Sequence, residues 1–231
     1  MHIMEGFLPP AWCLFWFLVS APFIVYGMYQ LRILMREKRE ALPLLAVAGA
    51  FVFVLSSLKL PSVSGSCSHP TGTGLGAILF GPCITSILGL IVLLYQAIFL
   101  AHGGLSTLGA NVFSMGIAGP VLAWAIYKGG QKAGLNTYLT VFFAATLADL
   151  FTYVVTSVQL ALAFPAEVGG IATSFAAFAA VFAVTQLPLS IIEGAVIALT
   201  FKYIIDVRAE ILVKLGVLTD AAVGRLRGVG A

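Results

Sequence analysis

The residues in this sequence best suited to hold a transition metal are its three histidines, His2, His69 and His102. Met1 and His2 form a chelator by themselves when the amino terminus is free. The Met1 α-amine and the His2 amide nitrogen close one small ring on a metal ion, and that amide nitrogen and His2 Nδ1 close a second. Once the amide has lost its proton, three nitrogens lie in one plane, and one further imidazole would complete a planar N₄ set. Planar nitrogen ligation suits Ni²⁺ or Cu²⁺ better than Zn²⁺, which prefers a tetrahedron. A low-spin Co²⁺ ion also accepts it. The ligands bind deprotonated, so capture weakens as pH falls. His69, in SGSCSHPTGTG, and His102, in AHGGLSTLGAN, compete for the fourth corner. The blander reading of either is a solvated loop histidine, and His102 could also orient a ligand ring from behind. Cys67, two residues before His69, is a candidate soft ligand. Otherwise Cys13, Cys67 and Cys83 form no CxxC pair and read as small fillers.

The elements that carry these residues follow from composition. The chain has 231 residues, of which 61% are hydrophobic and only 9% charged, against about 25% charged in soluble domains. Too little polar surface exists to cover a water-facing globule, so the solvent must be lipid. A spanning segment must satisfy its own backbone, which leaves helices or a closed barrel. Continuous apolar runs exclude the short alternating segments of a barrel. The fold class is therefore all-α, a polytopic membrane helix bundle forming one domain over residues 1–231. A net charge of +3 is too small to suggest nucleic-acid binding. The opening MHIMEGFLPP lacks the basic n-region of a signal peptide.

Apolar runs cover 11–31, 42–58, 83–101, 107–127, 137–163 and 172–204, each near the roughly 20 residues that a bilayer requires. Basic residues collect on the cytoplasmic side of membrane proteins. Here they form three clusters: Arg32, Arg36, Lys38 and Arg39; Lys128 and Lys132; Lys202, Arg208, Lys214, Arg225 and Arg227. Six crossings place the first and last clusters on opposite sides. A seventh, short crossing over 70–81 puts all three inside, leaving only Lys59 outside. That segment reaches only about 18 Å, so its ends must face protein or a water-filled cavity. The expectation is seven transmembrane helices, one short, with the N-terminus outside and tucked into the bundle. The tail over 1–10 and the outer loop and short helix over 59–82 then share one side with all three histidines. Extended, residues 1–8 span about 26–29 Å, enough to fold back into a central cavity.

Three stretches carry a family resemblance: MHIMEGFLPPAWC, KLPSVSGSCSHPTGTGLGAILFGP and LLYQAIFLAHGGLSTLGANVFSMG. With LADLFTYVVTSVQLALAFP and TQLPLSIIEG they resemble the CbiM/NikM family over essentially the whole chain. Members are the substrate-binding (S) components of cobalt and nickel energy-coupling-factor transporters. The resemblance implies high-affinity capture of Co²⁺ or Ni²⁺, as transported substrate, on the outer side of a prokaryotic plasma membrane. It implies ligation by the Met1 amine, the His2 amide and imidazole, and the imidazole of His69. Implied partners are a transmembrane coupling subunit, two ATPase subunits and a small accessory membrane protein. The HIMEG form resembles the cobalt branch, which would link the protein to cobalamin biosynthesis, whereas planar N₄ chemistry leans toward nickel.

No G-x-x-x-x-G-K-[ST] occurs, and the GGQKAG stretch at 129–134 reads as a loop with the wrong spacing for phosphate binding. No H-E-x-x-H or G-x-S-x-G appears either, so the chain is expected not to be an enzyme. A stand-alone permease coupling metal to protons through Asp149 or Glu193 is the alternative function. Both carboxylates, with Gln96, Gln159 and Gln186, fall mid-helix, where interhelical hydrogen bonding is the plainer role. His102, Asn111 and Ser68 are expected to support the metal ligands, and Asn111, Thr107 and Ser114 to satisfy the backbone of an inserted tail. Lys59 could snorkel to the interface or neutralise a carboxylate. Ala172, Ala176 and Ala180, like Ala46 and Ala50, repeat at a spacing that permits close helix approach. Internal packing is the plainer reading, and a docking face for the coupling subunit the functional one.

Overall fold

A computed structural model of the chain describes residues 2–61 and 66–227. Its helices are α1 (Pro10–Glu37), α2 (Leu42–Ser57), α3 (Thr73–Phe80), α4 (Pro82–Phe99), α5 (Leu108–Asn111), α6 (Gly119–Lys132), α7 (Thr137–Ala163), α8 (Gly170–Lys214) and α9 (Asp220–Arg227). A π-helical stretch, Val112–Ala118, fuses α5 and α6 into one rod. Among the described residues, six helices are long and apolar enough to cross a membrane: α1, α2, α4, the α5–α6 rod, α7 and α8.

The expected short segment is α3, and its place explains its composition. Every residue from Thr73 to Leu79 is buried. A Cβ on Gly74 would meet the Ala145 Cα at 3.2 Å, and one on Gly76 would meet the Thr85 side chain at 3.2 Å. These glycines let α7 and α4 close around α3, whose Leu75, Ile78 and Leu79 enter the main core with Val141, Ile197 and Phe201. Gly81, at φ +84°, breaks the helix, and Pro82 opens α4 at a position where its missing N–H costs nothing. Gly72 packs on Val52 near the end of α2, whereas Phe80 and Gly81 line a cavity with Lys38 and Lys128. The short helix thus carries the chain from the histidine end of the bundle to its basic end.

The basic clusters do gather at one end. Lys38 Nζ donates to the Lys214 carbonyl at 2.8 Å, Lys128 Nζ to the Gly216 carbonyl at 3.3 Å, and Lys214 pairs with Glu40 at 2.7 Å. The opposite end holds a feature that composition does not announce. β1 (His2–Ile3), β2 (Leu60–Pro61) and β3 (Ser66–Ser68) form a small antiparallel sheet in the order β1-β3-β2. Its register places His2 opposite Cys67 and Leu60 opposite Ser68.

Three expectations need correction. The GGQKAG stretch is not a loop throughout, because α6 runs to Lys132 with Gly130 pressed on Thr140. The last long helix continues past residue 204 to Lys214, kinked at Arg208. Ala172, Ala176 and Ala180 are all exposed, and Ala46 and Ala50 line an apolar groove on the outside of the bundle. Neither small-residue stripe packs internally.

α1 touches the bundle along a thin stripe, Trp16, Ser20, Gly27 and Leu34. A Cβ on Gly27 would sit 2.2 Å from the Cys83 carbonyl oxygen, so Gly27→Val forces α1 off α4. Overpacking of this kind costs about 1–3 kcal/mol or more. The expected result is a lower thermal unfolding midpoint in detergent, against little change for Gly129→Ala, where no atom lies within 4 Å.

Candidate metal centre

The buried end of β1 meets the β3 segment and the α4–α5 turn, and all three histidines converge there. His2 and His69 are 0% exposed and His102 2%. Ring centroids lie 4.5 Å apart for His2–His69, 4.0 Å for His2–His102 and 5.2 Å for His69–His102. Cys67 joins them, and one potential ligand atom from each of the four residues falls within 4.8 Å of the others. Met1 lies outside the described residues.

The tail is seated by groups that replace water on its backbone. Asn111 accepts from the Ile3 N–H through Oδ1 at 2.7 Å and donates Nδ2–H to the Ile3 carbonyl at 3.0 Å. Thr107 Oγ1–H donates to the same carbonyl at 2.7 Å. Asn111 therefore acts as a neighbouring strand on the edge of β1 that β3 does not cover, which matters because an unpaired buried backbone group is costly. The π-helical stretch begins directly after Asn111; such distortions concentrate at functional positions. Ser114 takes no part, since its hydroxyl returns to carbonyls of its own helix, Ala110 and Asn111. Farther out, Glu5 accepts from the Ser106 N–H at 3.1 Å and Gly6 N–H donates to Ser106 Oγ at 3.3 Å.

Four hydrogen bonds hold His69. Its Nδ1 lies 2.8 Å from the Pro70 carbonyl, which can only accept. Nδ1 therefore carries the proton and Nε2 presents its lone pair. The main chain of His69 is gripped by Tyr153, whose hydroxyl accepts from the His69 N–H at 2.9 Å and donates to the His69 carbonyl at 3.0 Å. Gln186 Nε2–H adds a contact to that carbonyl at 3.3 Å and also donates to Asp149. Ser68 is buried but tied to α8, accepting from Thr185 Oγ1 at 2.8 Å.

His2 is oriented from the other side. Gln96 gives its amide hydrogens to Ser56 and Ser57 at 2.8 and 3.1 Å. Its Oε1 and His2 Nε2 are both buried with no hydrogen-bond partner, with the Gln96 side chain facing the His2 ring. The His2 ring nitrogen turned toward His69 is Nδ1, which lies 2.6 Å from His69 Nε2. His69 Nε2 accepts, so without metal the proton between the two rings is that of His2 Nδ1, and a shared cation would take its place. His102 turns its Nε2 elsewhere, 3.0 Å from Cys67 Sγ.

The two mid-helix carboxylates are brought together, away from the histidine nitrogens. Glu193 accepts from the N–H groups of Thr71, at 2.5 Å, and Gly72, at 2.9 Å, and from Thr71 Oγ1 at 2.9 Å. It thus caps the N-terminus of α3, where a negative charge is favoured. Asp149 lies beside it, holding Gln186. Gln159 reaches the Ala110 carbonyl at 3.0 Å, and Lys59 is exposed. Sequence reasoning had not assigned Gln96 or Gln186 to the site, or singled out Tyr153, Gly103 and Gly104. The available signal was a polar side chain in the middle of an apolar run and two glycines directly after a histidine.

Those glycines are a steric requirement. A Cβ on Gly104 would fall 2.5 Å from Glu5 Cα, and one on Gly103, at φ +81°, 2.9 Å from the His2 ring. Gly104→Ala is expected to push the tail out and weaken metal binding by roughly one to two orders of magnitude, as about 1–3 kcal/mol of overpacking implies; calorimetry on purified protein measures it. Burial holds the His2 and His69 imidazoles well below 6.5 and lowers His102 to about 4. The folded chain therefore keeps them neutral where the unfolded chain takes up protons. With folded pKa values depressed, their stability contribution is complete above pH 6.5 and is lost as pH falls toward 4. The unfolding midpoint of metal-free protein should drop across that window, and His102→Gln should flatten the drop.

Residues 2–211 match the family described as the cobalt uptake substrate-specific transmembrane region. A protein of Methanosphaerula palustris named putative cobalt transport protein CbiM 1 is 68% identical, with 96% of each chain covered. One of Methanosarcina barkeri, putative cobalt transport protein CbiM 2, is 63% identical over the full length of both. A solved structure described as a truncated transition metal transporter superposes with a TM-score of 0.77 at 25% identity, covering 89% of this chain and 99% of that one. The helices wrapped around α3, the seated tail and these full-length likenesses agree: the chain is a multi-pass membrane protein of the CbiM cobalt-uptake family.

Proposed function

We propose that this protein captures Co²⁺ on the outer side of the membrane as the substrate-specificity subunit of an ATP-driven importer of the energy-coupling-factor type. The metal is held in a planar N₄ set: the Met1 amine, the His2 amide nitrogen, His2 Nδ1 and His69 Nε2. The observation that carries this reading is the 2.6 Å between His2 Nδ1 and His69 Nε2, with the His69 nitrogen freed by the Pro70 carbonyl on the far side of its ring. Ligands with bonds of about 2.0 Å at adjacent corners of a square lie about 2.8 Å apart. In the N₄ set these two nitrogens are adjacent, because the imidazole from His69 lies opposite the His2 amide. The family and its relatives support cobalt as the transported ion.

In this reading α3 is a seventh, short crossing, and the end carrying Lys38, Lys128 and Lys214 faces the cytoplasm. A coupling subunit and two ATPases supply the energy, with a small accessory membrane protein as a further partner. The exposed alanine stripe on α8 suits close approach by a partner helix. Asp149 and Glu193 hold the frame beneath His69 instead of coupling protons.

His2→Ala and His69→Ala should each abolish tight Co²⁺ binding, and a residue added before Met1 should do the same by moving the amine out of the chelate. Calorimetry on protein with its native start reads all three. Normal affinity in the extended variant would remove the amine from the site. Reconstituted vesicles separate the transport modes: uptake without partner subunits and ATP would favour the proton-coupled permease and defeat the importer.

A further inference from the structure

The planar set leaves two strong donors of the chamber unused. Cys67 Sγ and His102 Nε2 lie 3.0 Å from each other, and both residues are buried, at 1% and 2% exposure. They belong to the same four-residue group as His2 and His69, with all ligand atoms inside 4.8 Å. Cys67 is set there by register, directly across from His2 in the sheet. His102 stands over the His2 ring at a tilt of 42° and nearly perpendicular to His69, at 87°. Three segments thus bring four donors to one place, with the three rings tilted against one another. One thiolate and three imidazoles around a point are the donors of a tetrahedral zinc site.

We propose that the chamber has a second coordination mode, in which Cys67, His102, His2 and His69 bind one Zn²⁺ ion with no contribution from the amino terminus. The neighbouring ligand atoms of a tetrahedral site with bonds of about 2.0–2.3 Å lie about 3.3–3.8 Å apart. The short pairs need to open by about an ångström or less and the longest to close by about 1–1.5 Å, within the reach of side-chain rotation. Zn²⁺, with no geometric preference from its d electrons, takes this set, whereas planar N₄ favours the ions for which the amine and amide serve as ligands. Loading releases the Cys67 thiol proton to solvent. The two modes share His2 and His69, so they exclude each other, and zinc competes with Co²⁺ for one chamber through a donor pair that cobalt does not use.

The test uses the full chain with its native start, loaded separately with Zn²⁺ and with Co²⁺. X-ray absorption at the zinc edge should show one sulfur in the first shell, and at the cobalt edge none. Cys67→Ser should weaken Zn²⁺ binding by roughly 10- to 100-fold or more while Co²⁺ is still captured, which also shows that the variant is folded. Zinc ligated by nitrogen and oxygen alone, or an unchanged Zn²⁺ affinity in Cys67→Ser, overturns the proposal. Sulfur at the cobalt edge also overturns it, because Cys67 would then serve the cargo ion itself. Blocking the amine separates this inference from the planar site: if Co²⁺ binding survives the block, the N₄ reading fails while the zinc result stands on its own sulfur signal.

Discussion

A chain end inside a helix bundle has to satisfy its own backbone, and this constraint organises the outer half of the molecule. His2 and Ile3 are completely buried, in surroundings where an unpaired amide or carbonyl is costly. The tail here is a strand, His2–Ile3. β3 pairs with one edge and Asn111 with the other, its side-chain amide reproducing the donor and acceptor of a neighbouring strand. Gly103 and Gly104 follow from the same requirement, because a side chain at either would occupy the space of the tail.

His69 belongs to a second frame, reaching down into the core. Its backbone is held by Tyr153 and Gln186, Gln186 by Asp149, and the loop that follows it by Glu193 at the start of α3. Within the described residues the network is incomplete, since Asp149 Oδ1 and Gln186 Oε1 are buried without a partner. The short, glycine-rich α3 lets α4 and α7 approach closely enough to close this network from the sides. The two frames meet where two imidazole nitrogens face each other across 2.6 Å. The His69 nitrogen is selected by the hydrogen bond on the far side of its ring, so in the proposed site the Pro70 carbonyl matters without touching the metal.

Much of the architecture was legible in the sequence. Apolar runs located the six long helices to within a few residues, apart from the ends of the α5–α6 rod, of α1 and of α8. The basic clusters foretold a common end, and HPTGTGLGAILFGP announced a short buried segment. These signals are local, or depend on the membrane as a uniform solvent. The chelating capacity of Met1 and His2 is also local, since adjacent backbone and side-chain atoms close the rings. The alanine spacings were equally visible, but spacing alone does not say whether a helix face looks inward or outward, and both stripes look outward.

What only the tertiary structure decided depends on contacts between residues far apart in the chain. No pattern in the sequence pairs His2 with Cys67 or aims His102 at Cys67, whereas the Asn111 contact with the tail backbone was among the expectations. Ser68 and Ser114 had the right chemistry to support the site, yet both spend their hydroxyls elsewhere. The sequence by itself led to a membrane bundle with three histidines on one side and to the expectation that Met1 and His2 chelate. Which ring nitrogens face one another was decided by the strand pairing and turns that carry each histidine, because an imidazole reaches a ligand only where its backbone is held in place.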